Sequence, residues 1–195
     1  MTEIVFATHN ANKLTEIRQM LPADLQLLSL DDIGCREEIP ETASTLEGNA
    51  RIKASHVHKR YGYDCFADDT GLEVLALDGA PGVYSARFAG PGAGSKANIQ
   101  KLLQLMEGKT DRRARFRTVI ALAQKGAFHF FEGQVSGEIL LEPTGSGGFG
   151  YDPVFRPEGY DISFAEMPLQ EKNRISHRGR AFRNLSVFLR KNLAH

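Results

Sequence analysis

The spacing of apolar residues along the chain changes between the period of a strand and the period of a helix. Residues Ile4 to Ala7 are apolar and β-prone, and from Asn10 to Leu21 the apolar positions recur at helical spacing. Helical spacing returns between Thr45 and Tyr61, where one apolar stripe is formed by Leu46, Ala50, Ala54 and Val57. The chain is therefore predicted to begin as strand, turn and helix and to have an α/β fold.

The middle of the chain is predicted to be richer in strands. Three arginines alternate with other residues over positions 113–118, which is strand periodicity with a basic outer face. We expect this face to meet solvent or a second subunit. The runs Val119 to Ala123 and Phe128 to Leu141 are strand-like, and Lys125-Gly126 between them predicts an antiparallel hairpin.

Two further helices are predicted in the remaining segments. The first follows a loop rich in glycine and proline at residues 88–95 and carries apolar residues over 99–106. The second is the amphipathic C-terminal helix, for which Ser176 is a suitable N-cap. This cap places His177 and Arg178 in the first turn, at the positive end of the helix dipole.

Composition limits the class of protein. The 195 residues include 24 basic and 24 acidic residues, so no overall field attracts the chain to nucleic acid or to anionic lipid. The apolar runs are far shorter than the roughly 20 residues that cross a bilayer. Two cysteines and an N-terminus without a signal-like segment indicate a reducing cytoplasm. We expect one domain over residues 1–195 that binds neither nucleic acid nor membrane.

The candidate chemistry centres on two adjacent carboxylates, Asp68 and Asp69. They follow the apolar run Cys65 to Ala67 and precede Gly71, so we expect them at a strand end where the glycine lets the backbone turn. Paired carboxylates in such a place are typical of metal-assisted hydrolysis.

Two motifs look like nucleotide-binding signatures, but their context excludes both. The glycines within residues 145–150 satisfy GxGxxG, yet Asp152-Pro153 follows where a dinucleotide site requires a helix. Gly108-Lys109-Thr110 looks like the end of a P-loop, but Leu103 stands where that loop needs its earlier glycine. Neither a Rossmann site nor a P-loop is therefore predicted.

Charged residues elsewhere in the chain are further candidates for the functional site. In the turn Thr8 to Lys13, backbone amides and the lysine could converge on an anion, or Asn10 could be an ordinary N-cap beside a solvated lysine. Lys53 shares a helix face with Asn49 and, taken alone, is more simply a solvated surface residue. The full set of candidates is Glu41, Asp68, Asp69, Lys13, Lys53, Lys172, Arg178 and Phe149. This set suits a nucleotide bound with Mg²⁺, which prefers oxygen ligands.

The sequence resembles the inosine triphosphate pyrophosphatase family over nearly its whole length. Six ordered blocks carry the resemblance: Ala7-Thr8-His9-Asn10 with Lys13; Glu41-Thr42 with Asn49-Ala50 and Lys53-Ala54; Ala67 to Leu72; Pro81 to Arg87; Gly148 to Pro153; and Ser176-His177-Arg178. The resemblance implies hydrolysis of deaminated purine nucleoside triphosphates (ITP, dITP, XTP) to the monophosphate and pyrophosphate, which keeps these bases out of DNA and RNA. It also implies a homodimer and an α/β fold, with an elongated mixed β-sheet and flanking helices in two lobes around a central cleft.

The resemblance also implies roles for individual residues. Asp69 is implied as the general base and as a ligand of Mg²⁺, and Glu41 as the second metal ligand. The implied substrate-binding residues are Thr8, His9, Asn10, Ala11, Asn12, Lys13, Lys53, Thr70, Phe149, Gly150, Tyr151, Asp152, Lys172, His177 and Arg178. His9 stands where the family often has glycine, which changes how closely the backbone of this turn approaches a phosphate.

The purine base is expected to be selected by hydrogen-bond donors. Hypoxanthine and xanthine carry an oxygen at position 6, which donors from His177 or Arg178 would satisfy, whereas the amino group of adenine would leave them unpaired. One alternative is a related pyrophosphatase that acts on modified or pyrimidine nucleotides, and another is a sensor that binds a triphosphate without cleaving it. Ser176-His177-Arg178 favours a purine, and the carboxylates beside lysines favour hydrolysis.

Overall fold

The computed structural model describes residues 2–22 and 24–193. Seven strands lie in these described residues: β1 Thr2–Phe6, β2 Leu25–Leu28, β3 Cys65–Val74, β4 Pro81–Gly82, β5 Arg113–Gln124, β6 Ala127–Ile139 and β7 Phe155–Pro157. The α-helices of the same described part are α1 Ala11–Met20, α2 Leu46–Tyr61, α3 Ser95–Leu105, α4 Leu169–Ile175 and α5 His177–Leu193. Short 3₁₀ helices occupy Leu75–Leu77, Ser85–Arg87 and Asp152–Val154.

The strands form a mixed sheet in the order β2-β1-β3-β5-β6-β7, with β4 paired to β3. Strand β1 is parallel to β2 and β3, whereas β4 is antiparallel to β3 and β7 is antiparallel to β6. Strands β5 and β6 are joined by Lys125-Gly126, whose positive φ angles are those of a two-residue hairpin turn. The predicted hairpin and the predicted mixed α/β class are confirmed.

The helix boundaries follow from local capping. Helix α1 begins at Ala11 because the Asn10 side chain accepts hydrogen bonds from the first exposed amides, and Thr45 caps α2 in the same way. Helix α2 ends at Tyr61, and the C-cap residue Gly62 has a φ of 76°. Within the described residues, no helix is both long enough and apolar enough to cross a bilayer.

The chain divides into two compact units. The first contains β1, β2, α1, α2 and α5 from Arg178 onward, and the second contains β4, β7, α3 and α4. The three long strands change unit along their length, after Asp69 in β3, Arg117 in β5 and Gly133 in β6. The single two-lobed domain over residues 1–195 stays a prediction.

In the first unit, helices cover both faces of the sheet. One face packs against α1 and α5 and buries Ile4, Phe6, Ile17, Phe66, Ile120, Phe182 and Leu185. The other face packs against α2 and buries Val5, Ala7, Ala50, Ala54, Val57, Cys65, Ala67 and Ala121. Because side chains alternate along a strand, neighbouring residues of β3 face different helices. The apolar stripe predicted on α2 is thereby confirmed.

The second unit has an aromatic core. Phe116 on β5 packs edge-on against Phe155 on β7, with ring centroids 4.7 Å apart. Arg113 and Arg115, which alternate with buried residues of β5, are exposed, and Arg115 donates to the Glu73 carboxylate at 2.5 Å. The predicted basic outer face of this strand is therefore confirmed.

The place of Asp68 and Asp69 in the fold corrects the sequence prediction. Both lie in the middle of β3, which continues to Val74, and not at its end. Gly71 makes no turn there. A Cβ at this position would come within 2.6 Å of the Gly82 carbonyl oxygen, so the glycine instead permits β4 to approach β3. Helix α4 is an additional difference, because no helix was predicted before Ser176.

Candidate active site

Asp68 is a buried carboxylate held by two cations of the first unit. Its Oδ1 accepts a hydrogen bond from Lys13 Nζ at 2.8 Å, and its Oδ2 accepts one from Arg178 Nε at 3.0 Å. Burial alone would raise the pKa of Asp68, but the charges of Lys13 and Arg178 outweigh burial and hold the pKa well below its usual range. Asp68 is therefore ionised at neutral pH, with a cation on each oxygen.

The Arg178 guanidinium bridges two carboxylates of the first unit. Besides its contact with Asp68, Arg178 donates to Glu16 Oε2 at 2.5 Å, and both side chains are almost completely buried. Burial lowers the pKa of Arg178, but Glu16 and Asp68 more than compensate and raise it. The chain Lys13, Asp68, Arg178, Glu16 alternates in sign and connects α1, β3 and α5. The contact of Arg178 with a base, implied by the resemblance, stays a prediction.

Asp69 has a different environment from its neighbour. Its Oδ2 accepts a hydrogen bond from Asn49 Nδ2 at 3.1 Å, while Lys53 Nζ lies 3.8 Å from Oδ1, beyond hydrogen-bond distance. Burial, reinforced by the Glu41 carboxylate and opposed by Lys53, raises the pKa of Asp69 to about 6. A carboxylate with this pKa is suited to accept a proton near neutral pH.

Lys53 connects the two carboxylates that the resemblance implies as metal ligands. Its ammonium lies 2.6 Å from Glu41 Oε1 and donates to the Asp68 carbonyl oxygen at 2.6 Å. The Lys53 side chain is only 11% exposed, so the interpretation of this lysine as a solvated surface residue is wrong. Burial alone lowers its pKa, but Asp69 and Glu41 outweigh burial and keep the pKa raised.

Glu41 and Asp69 provide a donor set that suits Mg²⁺. Both are carboxylates gathered around the Lys53 ammonium, and Asp69 Oδ1 makes no hydrogen bond to it, which leaves lone pairs for another ligand. Mg²⁺ takes one or two carboxylates together with water and substrate phosphates. The residues of this cluster therefore fit the ion that the sequence predicts.

The turn before α1 is ordered by its own hydrogen bonds. Asn10 Oδ1 accepts from the amides of Asn12 at 3.0 Å and Lys13 at 3.1 Å, and the Asn10 amide donates to Thr8 Oγ1 at 3.1 Å. Asn10 is therefore an N-cap, as the second of the two interpretations of this turn predicted. Lys13 is not solvated, however, because its ammonium contacts Asp68.

The other residues of this turn are exposed. Ala11 and Asn12 form the first turn of α1 at the surface. His9 Nε2 lies 3.2 Å from the Glu37 carbonyl oxygen, so its ring connects the turn to the segment that follows β2.

In the second unit, a buried lysine and carboxylate form the centre of a separate cluster. Lys172 Nζ donates to Asp152 Oδ2 at 2.6 Å, and the same oxygen accepts from the Phe149 amide at 2.8 Å. The Lys172 ammonium also lies 4.9 Å from the centroid of the Phe149 ring, within the range of a cation–π contact. A Cβ at Gly148 would stand 2.2 Å from Asp152 Oδ2, so only glycine allows this carboxylate to approach.

Two neighbours of Asp152 in sequence shape the loop around it. Tyr151 is buried, and its hydroxyl donates to the Ser85 carbonyl oxygen at 2.7 Å; burial raises its pKa. Gly150 has a φ of 62° and an open surrounding, with nothing within 4 Å of the position a Cβ would take.

His177 lies in the aromatic core of the second unit. Its ring stacks on Phe116, with centroids 4.6 Å apart and an interplanar angle of 15°. Helix α5 begins at this residue, as predicted from the Ser176 cap. Thr70 follows Asp69 directly on β3 and is partly buried.

Sequence reasoning missed several residues that hold these side chains. Glu16 was not singled out, because it is one of many charged residues on a helix. It lies about one turn after Lys13 and next to the core residue Ile17. Asn49 was placed on the correct face of α2, but its hydrogen bond to Asp69 was not predicted. Ser85 appeared only as a member of the block Pro81 to Arg87; its carbonyl oxygen accepts from Tyr151, and its hydroxyl accepts from the Leu72 amide and donates to the Gly82 carbonyl oxygen.

Comparison with known proteins identifies the family. The sequence model of the Ham1 family matches residues 4–188. A dITP/XTP pyrophosphatase of Christiangramia forsetii is 58% identical over 97% of this chain and 100% of its own length, and one of Porphyromonas gingivalis is 57% identical over 97% and 98%. The solved structure of a HAM1 protein from Coxiella burnetii is 42% identical, covers 98% of this chain and 100% of its own, and has a TM-score of 0.90. The chain therefore belongs to the Ham1 family.

Proposed function

We propose that this protein hydrolyses deaminated purine nucleoside triphosphates, such as ITP, dITP and XTP, to the nucleoside monophosphate and pyrophosphate. The observation that carries the proposal is the buried Asp69 carboxylate, with a pKa of about 6, beside Glu41 and the Lys53 ammonium. Relatives at 57% and 58% identity bear the name dITP/XTP pyrophosphatase, which supports this substrate class. The activity would remove these nucleotides before polymerases use them.

We assign a Mg²⁺ ion to the carboxylates of Glu41 and Asp69. When bound, the ion would supply positive charge to the phosphate oxygens and would lower the pKa of a coordinated water. The Lys53 ammonium, which contacts Glu41 and lies near Asp69, would then be available to the substrate's phosphates as well as to the carboxylates.

We assign proton transfer and the stabilisation of negative charge to residues of the first unit. Asp69 would accept the proton of the water that attacks phosphorus; its pKa in the metal-free protein is raised to about 6. Lys13 and Lys53 would stabilise the negative charge that develops on the phosphate oxygens. Burial lowers the pKa of Lys13, and the contact with Asp68 opposes this shift, so Asp68 serves to position Lys13 and keep it charged.

The second unit offers groups suited to a purine base. The Phe149 ring is a surface on which a base could stack, and Lys172 beside it supplies positive charge. Because the Arg178 guanidinium binds Glu16 and Asp68, we assign recognition of the oxygen at position 6 to His177. A buried donor left unpaired by adenine would cost on the order of 1 to 3 kcal/mol.

The proposal is tested by incubating the protein with ITP and Mg²⁺ and separating the products by ion-exchange chromatography. ATP, GTP and dUTP are run alongside, together with a sample of ITP in which EDTA removes the metal. Monophosphate and pyrophosphate from ITP alone, and only with metal, are expected. Release of phosphate with the diphosphate, or binding of ITP without cleavage, would contradict the proposal, and turnover of dUTP in preference to ITP would favour the pyrimidine alternative.

The homodimer implied by the resemblance and the cytoplasmic location predicted from the cysteines and the N-terminus also belong to this proposal. Light scattering on the purified protein measures the first. A mass of twice the 21.6 kDa chain is the expected result.

A further inference from the structure

A second group of metal-ligand side chains converges in the first unit, separate from the carboxylates of β3. One ligand atom from each of Cys35, Glu37 and His56 lies within 4.8 Å of the other two. His56 Nε2 is 3.0 Å from Glu37 Oε1. Cys35 is fully buried, while the side chains of His56 and Glu37 are 25% and 34% exposed, so solvent reaches the group through His56 and Glu37.

Main-chain contacts, rather than contacts among the three side chains, hold the backbone of this group in position. Cys35 and Glu37 belong to the segment after β2, and the Cys35 amide donates to the Leu30 carbonyl oxygen at 2.9 Å. Gly34, with a φ of 73°, makes the turn that this hydrogen bond closes. His56 comes from the rigid helix α2. The three ligand atoms are therefore brought together by two elements that fold for other reasons.

We infer that Cys35, Glu37 and His56 form a binding site for Zn²⁺, with water as the fourth ligand. A thiolate, an imidazole and a carboxylate are the ligands that Zn²⁺ takes, at about 2.3 Å for sulfur and about 2.0 to 2.2 Å for nitrogen and oxygen. In a tetrahedral site these bonds put the ligand atoms about 3.4 to 3.6 Å apart. A group already within 4.8 Å reaches that geometry by small side-chain rotations. Mg²⁺ is excluded as the occupant, because it prefers oxygen ligands alone.

The surroundings of Glu37 resemble the outer shell of a metal site. Tyr61 Oη lies 3.0 Å from both oxygens of the Glu37 carboxylate and donates to it, and Arg60 NH1 lies 3.4 Å from Oε1. Hydrogen bonds of this kind orient a ligating carboxylate. With a thiolate and a carboxylate bound, the charge of a divalent ion is balanced, and Arg60 remains at the exposed rim.

Metal binding here would tie the segment after β2 to α2. The Glu37 carbonyl oxygen contacts His9 in the turn before α1, and Glu41 follows four residues later. The ion would thus restrain the part of the chain from Cys35 to Glu41. The expected consequence is a Tm that rises with the Zn²⁺ concentration, since a ligand that binds only the folded state stabilises it.

The site is tested with Co²⁺, a spectroscopic substitute for Zn²⁺, on protein without a purification tag. We expect one equivalent of Co²⁺ to give a thiolate-to-metal charge-transfer band, which Zn²⁺ then removes. The carboxylates Glu41 and Asp69 cannot give this band, because they have no sulfur ligand. Cys35→Ser should abolish the band, and His56→Gln should weaken Co²⁺ binding at least tenfold. Cys65→Ala, at the other buried cysteine, is the matched control and should keep the band.

Three results would overturn the inference. The first is the absence of a charge-transfer band in the unaltered protein, and the second is its persistence in Cys35→Ser. The third is an equal loss of binding in Cys65→Ala, which would indicate unspecific thiol chemistry. If circular dichroism finds Cys35→Ser unfolded, His56→Gln decides alone, because His56 is partly exposed and does not belong to the apolar core beside α2.

Discussion

Asp68 and Asp69 are adjacent on β3, yet their side chains face different helices of the first unit. Asp68 contacts Lys13 on α1 and Arg178 on α5, whereas Asp69 accepts a hydrogen bond from Asn49 on α2. Two cations hold the pKa of Asp68 well below its usual range, while burial raises that of Asp69 to about 6. One residue type thus has two different environments, and these support the sequence-based prediction that Asp69 alone is the base, with Asp68 in a positioning role.

Asp69→Asn should reduce turnover of ITP by about 10²-fold to 10⁴-fold, because the amide cannot accept the proton of the attacking water. The Tm should not fall below that of the unaltered protein, since the new side chain keeps an oxygen for Asn49 to donate to. Steady-state kinetics and circular dichroism check both statements. Asp64→Asn, just before β3, is the control and should retain activity. Retained activity in Asp69→Asn would remove this residue from the role of base.

Asp68→Asn should instead destabilise the protein, by about 3 to 5 kcal/mol in the free energy of unfolding. The substitution leaves Lys13 and Arg178 buried without the carboxylate that binds both. Urea unfolding at pH 7 measures the loss, with Asp69→Asn as the comparison. Equal stability of the two variants would contradict the division of tasks between the two carboxylates.

The sequence predicted the elements of the fold better than the environment of the site. Helices α1 and α2 were recognised because their apolar residues recur at helical spacing, and the hairpin because Lys125-Gly126 suits a tight turn. Local patterns contain no information about long-range ion pairs. The contact of Arg178 with Glu16 joins residues 162 positions apart, and it could not be read from spacing.

The sequence also failed to predict that Asp68 and Asp69 lie in the middle of β3, for a related reason. Asp, Asp and Gly are poor strand residues, so Asp68-Asp69 followed by Gly71 indicated a strand end. The strand continues because cations bind one carboxylate, because Asn49 binds the other, and because Gly71 admits β4. Tertiary contacts of this kind override local preference.

The raised pKa of Asp69 predicts a pH dependence of stability in the metal-free protein. The folded-state pKa of about 6 exceeds the ordinary value of 3.8, so between these pH values the folded state holds a proton that the unfolded state has lost. The free energy of unfolding should therefore fall as pH rises through this window, by on the order of 3 kcal/mol from this residue. Asp68, with its lowered pKa, acts with the opposite sign and loses stability at acid pH.

The contribution of Asp69 is isolated by comparing the protein with Asp69→Asn in urea unfolding at pH 4, 5, 6 and 7, with EDTA present throughout. The amide does not titrate, so the variant should gain stability relative to the parent as pH rises. Two parallel curves would mean that the pKa of Asp69 is not raised in the folded state.

Gly148→Ala should damage the second unit more than Gly150→Ala. Both glycines have positive φ, 67° and 62°, so both variants bear a similar backbone cost of about 1 kcal/mol. Only at position 148 would the new Cβ meet Asp152 Oδ2, at 2.2 Å, and displace it from Lys172. We expect a clearly lower Tm and a higher KM for ITP in Gly148→Ala, measured side by side with Gly150→Ala. Equal effects would mean that the Asp152 carboxylate adjusts without loss.

His177→Ala should reduce the preference for ITP over ATP, expressed as the ratio of their kcat/KM values, by about tenfold to hundredfold. Removing the imidazole removes the donor that we assign to the oxygen at position 6, while Asp69 and its neighbours on α2 are untouched. His129→Ala is a matched control, because His129 also lies against a phenylalanine, with its ring centroid 4.5 Å from that of Phe188, in the first unit. The control should leave the ratio unchanged. If His177→Ala lowers Tm but not the ratio, His177 is a core residue stacked on Phe116, and the base must be read by another donor.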